Sequence, residues 1–195
     1  MQTSHTLLER VRDRSDENSW SEFDEIYRPY IFKIVRRMNF THEESEDMCQ
    51  SILLTLWEKI PEFKHNFRTG AFRTWLCTIV RNRGINIVKK NQRRNEKLTV
   101  ENEDALSPYI QTSQNDLEEI AKEEWIAHIT DLAWKKIEAE FDENLRKAFT
   151  MSLQDVPGEQ IAEELGIKLN SVYVYKNRIK KRLEEIIRIL KVQYV

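Results

Sequence analysis

Two clusters of cations stand out in a chain whose formal net charge is only −2. Arg81, Arg83, Lys89, Lys90, Arg93, Arg94 and Lys97 follow one another with Glu96 as the opposing carboxylate. Lys168, Lys176, Arg178, Lys180, Lys181 and Arg182 form the second cluster, with no acid after Lys168 until Glu184. Between them lie Glu101, Glu103, Asp104, Asp116, Glu118, Glu119, Glu123 and Glu124. Ammonium and guanidinium groups at this density neutralise phosphates, and the gain from counterion release adds along a nucleic acid. Two separated clusters therefore predict two contacts with one polyanion. Catalytic patterns are missing: the sequence holds no HExxH, paired CxxC, P-loop or GxSxG. His5, His42, His65 and His128 are dispersed, and His42 beside Glu43 and Glu44 is no metal site, because successive side chains on a helix point apart. The expectation is a binding protein, not an enzyme, with no metal and no cofactor.

The second cluster needs a scaffold that turns one face outward, and residues 158–183 supply one. Ile161, Ala162 and Leu165 fall on the inner side of a short helix, Gly166 offers a permissive backbone at its C-terminus, and Ile167 packs in the turn. Asn170 or Ser171 can cap the helix that follows. This is helix-turn-helix spacing, which places a second helix in a major groove. Val172, Tyr175, Ile179, Leu183, Ile186 and Leu190 form the inner stripe of that helix. Ser171, Tyr173, Val174, Lys176, Asn177 and Arg178 are left for base contacts, and Lys180, Lys181 and Arg182 for phosphates.

The rest of the chain reads as helix as well, and only 4 Gly and 4 Pro interrupt it. Leu7, Leu8 and Val11 open a short amphipathic segment. Trp20, Phe23, Ile26, Tyr27, Tyr30, Ile31, Ile34 and Val35 recur at three- and four-residue steps, the buried face of one helix or of a pair bent at Pro29. Thr41 and Glu44 have capping-box spacing ahead of the stripe Met48, Ile52, Leu53, Leu56, Ile60, which Pro61 ends. Phe63 to Gly70 is a polar loop. Phe72, Trp75, Leu76, Ile79, Val80 and Ile87 then mark a helix that runs into the first basic cluster. From Leu98 the periodicity fails, and the segment to about Gln114 reads as a linker rich in polar and acidic residues. Helical spacing returns at Leu117, Ile120, Ala121, Trp125, Ile126 and Ile129. Cys49 and Cys77 lie within apolar helical patterns and read as buried thiols of a reducing compartment, with a disulfide between them as the alternative. The first residues carry no apolar leader segment and no run reaches the roughly 18 residues of a membrane span, so a soluble, cytoplasmic protein is expected.

Three stretches in this order resemble a known family: SEDMCQSILLTLWEKI (45–60), FRTWLCTIVRN (72–82) and EQIAEELGIKLNSVYVYKNRIKKRL (159–183). Together they resemble an extracytoplasmic-function (ECF) sigma factor of the bacterial sigma-70 family. The resemblance implies an all-α fold of two small helical domains joined by a flexible linker. Residues 1–97 would be the domain that docks on core RNA polymerase and captures the −10 promoter element as a melted strand. Residues 98–118 would be the acidic linker, and 119–195 the helix-turn-helix domain that reads the −35 element as duplex. Asp47, Gln50, Leu54 and Trp57 would meet the clamp coiled coil of the polymerase β′ subunit, with the β flap as a second polymerase contact. The loop with Asn66, Phe67 and Arg68 would hold a flipped base, Phe67 stacking on it and Arg68 reaching phosphate. Arg81, Asn82, Asn86, Lys89, Lys90 and Arg93 would face the same DNA. An anti-sigma factor is the implied regulator, and the protein would be a monomer when free or when bound to it. The chain departs from the family at the recognition helix. Ser171-Val172-Tyr173-Val174-Tyr175-Lys176 stands where Thr-Val-Lys-Ser-Arg-Leu is usual, so a familiar −35 preference does not transfer.

Three other readings make different predictions. A stand-alone helix-turn-helix regulator would bind duplex DNA by itself and form no stable polymerase complex. A pure protein-interaction module would show no salt-dependent affinity for DNA. A nuclease would need an acidic metal cluster that the sequence does not show.

Overall fold

The structure, a computed structural model, describes residues 6–63, 71–95 and 113–194, with side chains of the helix ending at Asn95 described from Phe72 to Lys89. All regular structure among the described residues is helical, as expected. The α-helices are α1 (Leu7–Arg10), α2 (Glu17–Arg37), α3 (His42–Lys59), α4 (Ala71–Asn95), α5 (Gln114–Ile137), α6 (Glu143–Leu153), α7 (Gly158–Glu164) and α8 (Leu169–Tyr194). Single 3₁₀ turns follow α3 (Ile60–Glu62) and α5 (Glu138–Glu140). The chain divides into two compact units, Met1–Ile126 with Gln193–Val195, and Ala127–Val192.

In the first unit, α2 is one continuous helix, which settles the two readings left open at Pro29. Proline inside a helix costs about 3 kcal/mol, and the burial of Phe23, Ile26, Tyr27, Tyr30, Ile31, Ile34 and Val35 offsets it. At the start of α3, Thr41 and Glu44 form the expected reciprocal capping box: the Glu44 N–H donates to the Thr41 hydroxyl oxygen (3.2 Å), and the Thr41 N–H donates to the Glu44 carboxylate (3.0 Å). The stripe Met48, Ile52, Leu53, Leu56, Ile60 is buried as read, and Pro61 lies in the 3₁₀ turn that ends it. On α4, Phe72, Leu76, Cys77, Ile79 and Val80 are buried, and Val88 takes the inner position expected of Ile87. Trp75 is half-buried and stacks on the buried Phe63, ring centres 4.4 Å apart. A Cβ on Gly84 would lie 3.2 Å from Met38 Cε and 3.6 Å from Phe40 Cε2, so this glycine lets α4 approach the α2–α3 corner closely.

Of the expected linker, 98–118, residues 98–112 lie outside the described residues. Leu117 from its far end, with Ala121 and Trp125 from the expected second domain, is buried in the first unit's core. Tyr30 Oη donates to the Ala121 carbonyl (2.8 Å), and the Trp125 and Tyr27 rings stack 5.6 Å apart. Arg37 adds ion pairs to Glu123 and Glu124. Helix α5 begins inside the stretch expected to be linker. Ser113 caps it, accepting from the Asp116 N–H (3.1 Å) while its own N–H donates to the Asp116 carboxylate (3.1 Å).

The second unit builds its core from Ile129, Ala133, Ile137, Phe141, Leu145, Ala148, Phe149, Ile161, Ala162, Val172, Ile179, Leu183 and Leu190. Helix α7 ends in a Schellman arrangement: the Ile167 N–H reaches the Ala162 carbonyl (2.9 Å) and the Gly166 N–H that of Glu163 (3.2 Å). Gly166 takes φ +63° there. Ala148, Ile161, Ala162 and Val172 pack together with Leu165, Ile167 and Tyr175 against them, which sets the angle between α7 and α8.

Candidate functional site

Helix α8 presents its candidate readers outward because the opposite stripe is consumed by the core. Val172, Ile179, Leu183 and Leu190 are buried, while Tyr175 and Ile186 are half-buried. Tyr173 and Val174 are 53% and 54% exposed, and Lys176, Asn177, Arg178, Lys180 and Lys181 are exposed too. Positions 173, 174, 177, 178 and 181 repeat at helical steps and share one face. Ser171 is half-buried. The expected cap differs: α8 starts at Leu169, so Asn170 and Ser171 lie in its first turn, and the Lys168 carbonyl accepts from the Ser171 N–H (2.8 Å). The Tyr173 hydroxyl lies 3.5 Å from where a Gly158 Cβ would stand, so that ring leans on the start of α7.

Arg182 has a different setting from its neighbours. Its Nε and one terminal nitrogen each donate to the Glu140 carboxylate at 2.8 Å, and the other terminal nitrogen donates to Glu185 at 2.8 Å. The pairing holds the Glu140 carboxyl below its usual range and pushes the Arg182 guanidinium up. One turn earlier, the Arg178 guanidinium lies 5.9 Å from the centre of the Phe141 ring.

In the first unit, α4 carries the candidate −10 contacts. Asn82, Asn86 and Lys89 are exposed, with Asn82 and Asn86 one turn apart on one side. Arg81 is half-buried, and its buried Nε has no hydrogen-bond partner among the described residues. Lys90 and Arg93 belong to α4 but their side chains are outside the described residues, as are Asn66, Phe67 and Arg68 altogether. On α3, Asp47 and Gln50 are exposed, and two large apolar side chains beside them stay in solvent, Leu54 at 59% and Trp57 at 43%. Their spacing of 47, 50, 54, 57 makes them one face, next to the buried stripe. A groove between α3 and α4 is lined by Glu44, Asp47, Ser51, Arg83, Asn86 and Ile87, so it joins the two candidate surfaces. Arg83 donates to the Ser51 hydroxyl oxygen across it.

Residues 23–94 match the family described as Sigma-70 region 2, and residues 140–183 match Sigma-70, region 4. The chain belongs to the extracytoplasmic-function sigma factors of the sigma-70 family. It is similar to ECF RNA polymerase sigma factor RpoE of Cereibacter sphaeroides, 24% identical over 92% of this chain and 91% of the relative. It is also similar to ECF RNA polymerase sigma factor SigE of Mycolicibacterium smegmatis, 20% identical over 94% of this chain and 67% of the relative. As a sigma factor it acts in transcription initiation, with core RNA polymerase and promoter DNA as its partners.

Four contacts in this sigma factor had no sequence signal: Arg14 with Trp57, Arg83 with Ser51, Arg182 with Glu140 and Arg178 with Phe141. Each joins residues more than 30 positions apart, beyond the reach of helical periodicity. Cys49 and Cys77 are buried free thiols, as read. Among the described residues no helix is long and apolar enough to cross a membrane, and no group of three or more His, Cys, Asp or Glu side chains could hold a metal ion.

Proposed function

We propose that this sigma factor divides promoter recognition between its two units. The first unit docks on the β′ clamp coiled coil of core polymerase through Asp47, Gln50, Leu54 and Trp57. It captures the −10 element as a melted strand through Asn66, Phe67 and Arg68 and the outer side of α4, with Arg81, Asn82, Asn86, Lys89, Lys90 and Arg93. The second unit reads the −35 element as duplex through Ser171, Tyr173, Val174, Lys176, Asn177, Arg178 and Lys181, and contacts the β flap. An anti-sigma factor holds the protein silent until induction. The whole operates by binding energy alone.

The observation that carries this reading is the exposure of Leu54 and Trp57 on α3, in a chain that also turns a basic face outward on α8. Solvent-exposed large apolar residues rimmed by Asp47 and Gln50 suit a helix partner. They have no use in a protein that binds only duplex DNA. Run-off transcription with core polymerase and a genomic promoter library is the test. Promoter-dependent initiation is expected, and its absence with every fragment removes the reading. Leu54→Glu should weaken the complex with core polymerase by about 2 kcal/mol, or roughly thirtyfold. Sequence-specific duplex binding by the free chain, with no polymerase complex, would instead establish a stand-alone regulator.

A further inference from the structure

The recognition helix is gripped by two consecutive residues from the turn before α6. Glu140 ends the 3₁₀ turn, Phe141 is extended (φ −116°, ψ 141°), and Asp142 caps α6 by accepting from the Leu145 N–H at 2.9 Å. The turn is therefore anchored on both sides, by the 3₁₀ hydrogen bond from the Phe141 N–H to Glu138 and by the Asp142 cap. Phe141 is only 7% exposed, so its ring is a fixed surface. Against this anchor α8 lays Arg182 on Glu140 and Arg178 on Phe141, one helical turn apart.

The two arginines end in unlike states. Arg182 spends three guanidinium donors on two carboxylates, so its charge is more than balanced where it sits. A phosphate would have to compete there with a carboxylate already bound in bidentate fashion. Among the described residues Arg178 meets only a ring face, which restricts its guanidinium and leaves its hydrogen-bond donors unspent on Phe141. A side chain ordered in advance loses less entropy on binding, and a planar fork so ordered suits a base edge better than a mobile one.

We infer that Glu140 and Phe141 are positioning residues of the −35 reader: Phe141 aims Arg178 at a base pair, and Glu140 withholds Arg182 from the phosphates so that it serves as a clasp. This rests on the proposed duplex-reading role of α8. It also narrows that role, because Arg182 leaves the set of DNA contacts read from the sequence.

The test uses the full chain reconstituted with core RNA polymerase, a randomised duplex DNA pool for the preference profile, and the enriched duplex for salt titration. Wild-type holoenzyme should enrich a motif. An unenriched pool would remove the duplex-reading role and this inference with it. Given a motif, Arg178→Ala should flatten preference at a particular base pair. Phe141→Leu, which keeps an apolar side chain but removes the ring face, should flatten the same position, and the double variant should lose no more than Arg178→Ala. A wild-type profile for a folded Phe141→Leu overturns the positioning role. Arg182→Gln should leave the slope of log affinity against log salt unchanged. A slope shallower by about 0.9, the value of one phosphate contact, overturns the clasp. Should Phe141→Leu fail to fold, the Arg182→Gln slope alone decides the inference.

Discussion

The Arg14 guanidinium carbon lies 4.9 Å from the centre of the Trp57 ring, and the same group donates to the backbone carbonyls of Trp57 and Glu58. Those carbonyls belong to the last turn of α3, where no intrahelical donor remains for them and where a cation is favoured by the helix dipole. Arg12 does similar work nearby, donating to the Phe63 carbonyl at 2.9 Å. The segment after α1 thus holds the end of α3 and steadies an exposed tryptophan on the proposed docking face. An exposed cation–π contact is worth about 0.5–1 kcal/mol. Arg14→Ala should therefore weaken the complex with core polymerase about two- to fivefold, a change of that size by the usual affinity conversion. Titration of labelled core enzyme would show it, and unchanged affinity would mean Trp57 needs no such support.

Gly166 sits at φ +63° with nothing within 4 Å of where its Cβ would be. Any cost of Gly166→Ala is therefore backbone strain, not a clash, and should be about 1 kcal/mol. Gly166→Asn should cost less, because asparagine tolerates the left-handed region better. Thermal or urea unfolding of the three proteins checks the order. An alanine variant as stable as wild type would show that the turn relaxes away from the Schellman geometry.

Ser113 and Asp116 cap α5 in a segment whose composition reads as linker, and this cap marks the start of the helix. Removing such a cap costs typically about 1 kcal/mol. Ser113→Ala should lower the stability of the first unit by that amount, since Leu117, Ala121 and Trp125 pack there. A loss read out by second-unit probes alone would contradict the packing of Leu117 and Trp125.

What the sequence reveals and conceals follows the range of each interaction. Thr41 and Glu44 are legible because a capping box acts over three residues, and Met48, Ile52 and Leu56 because helical burial repeats at three and four. Gly166 is legible because so few residue types accept its backbone. Leu117 and Trp125 were visible as apolar positions, but periodicity says which side of a helix is buried, never which neighbour buries it. That is why composition alone extends the linker to 118, past the start of α5 at Gln114. Charge counting assigns Arg182 to phosphate because it cannot see Glu140, 42 residues away in the chain. Asn170 and Ser171 were good capping types, yet the Lys168 carbonyl starts α8 first, so residue preference alone set the wrong cap.

The buried thiols make the first unit sensitive to alkali, with a sign that can be worked out. Burial pushes Cys49 up to about 11 and Cys77 up to about 12, against an ordinary thiol value of 9.0. Burial also pushes the Tyr27 and Tyr30 hydroxyls up from 10.0. In each case the folded chain keeps a proton that the unfolded chain has already lost, so the unfolded state binds fewer protons and stability falls as pH rises. The contribution is intact below pH 9, falls first through the thiols, and falls further above pH 10 as the tyrosines join. Melting temperature followed through tryptophan fluorescence should decline from pH 9 towards 11. Cys49→Ala with Cys77→Ala should move the onset to about pH 10, because only the tyrosines then remain to drive it. At pH 7 both thiols should also react with a thiol reagent far more slowly in the folded chain than in urea, since the protonated form is a poor nucleophile and both sites are closed. A melting temperature level from pH 8 to about 11 would show that these groups titrate without help from unfolding, and with it the burial of Cys77 and Tyr30 beneath α5 would have to be abandoned.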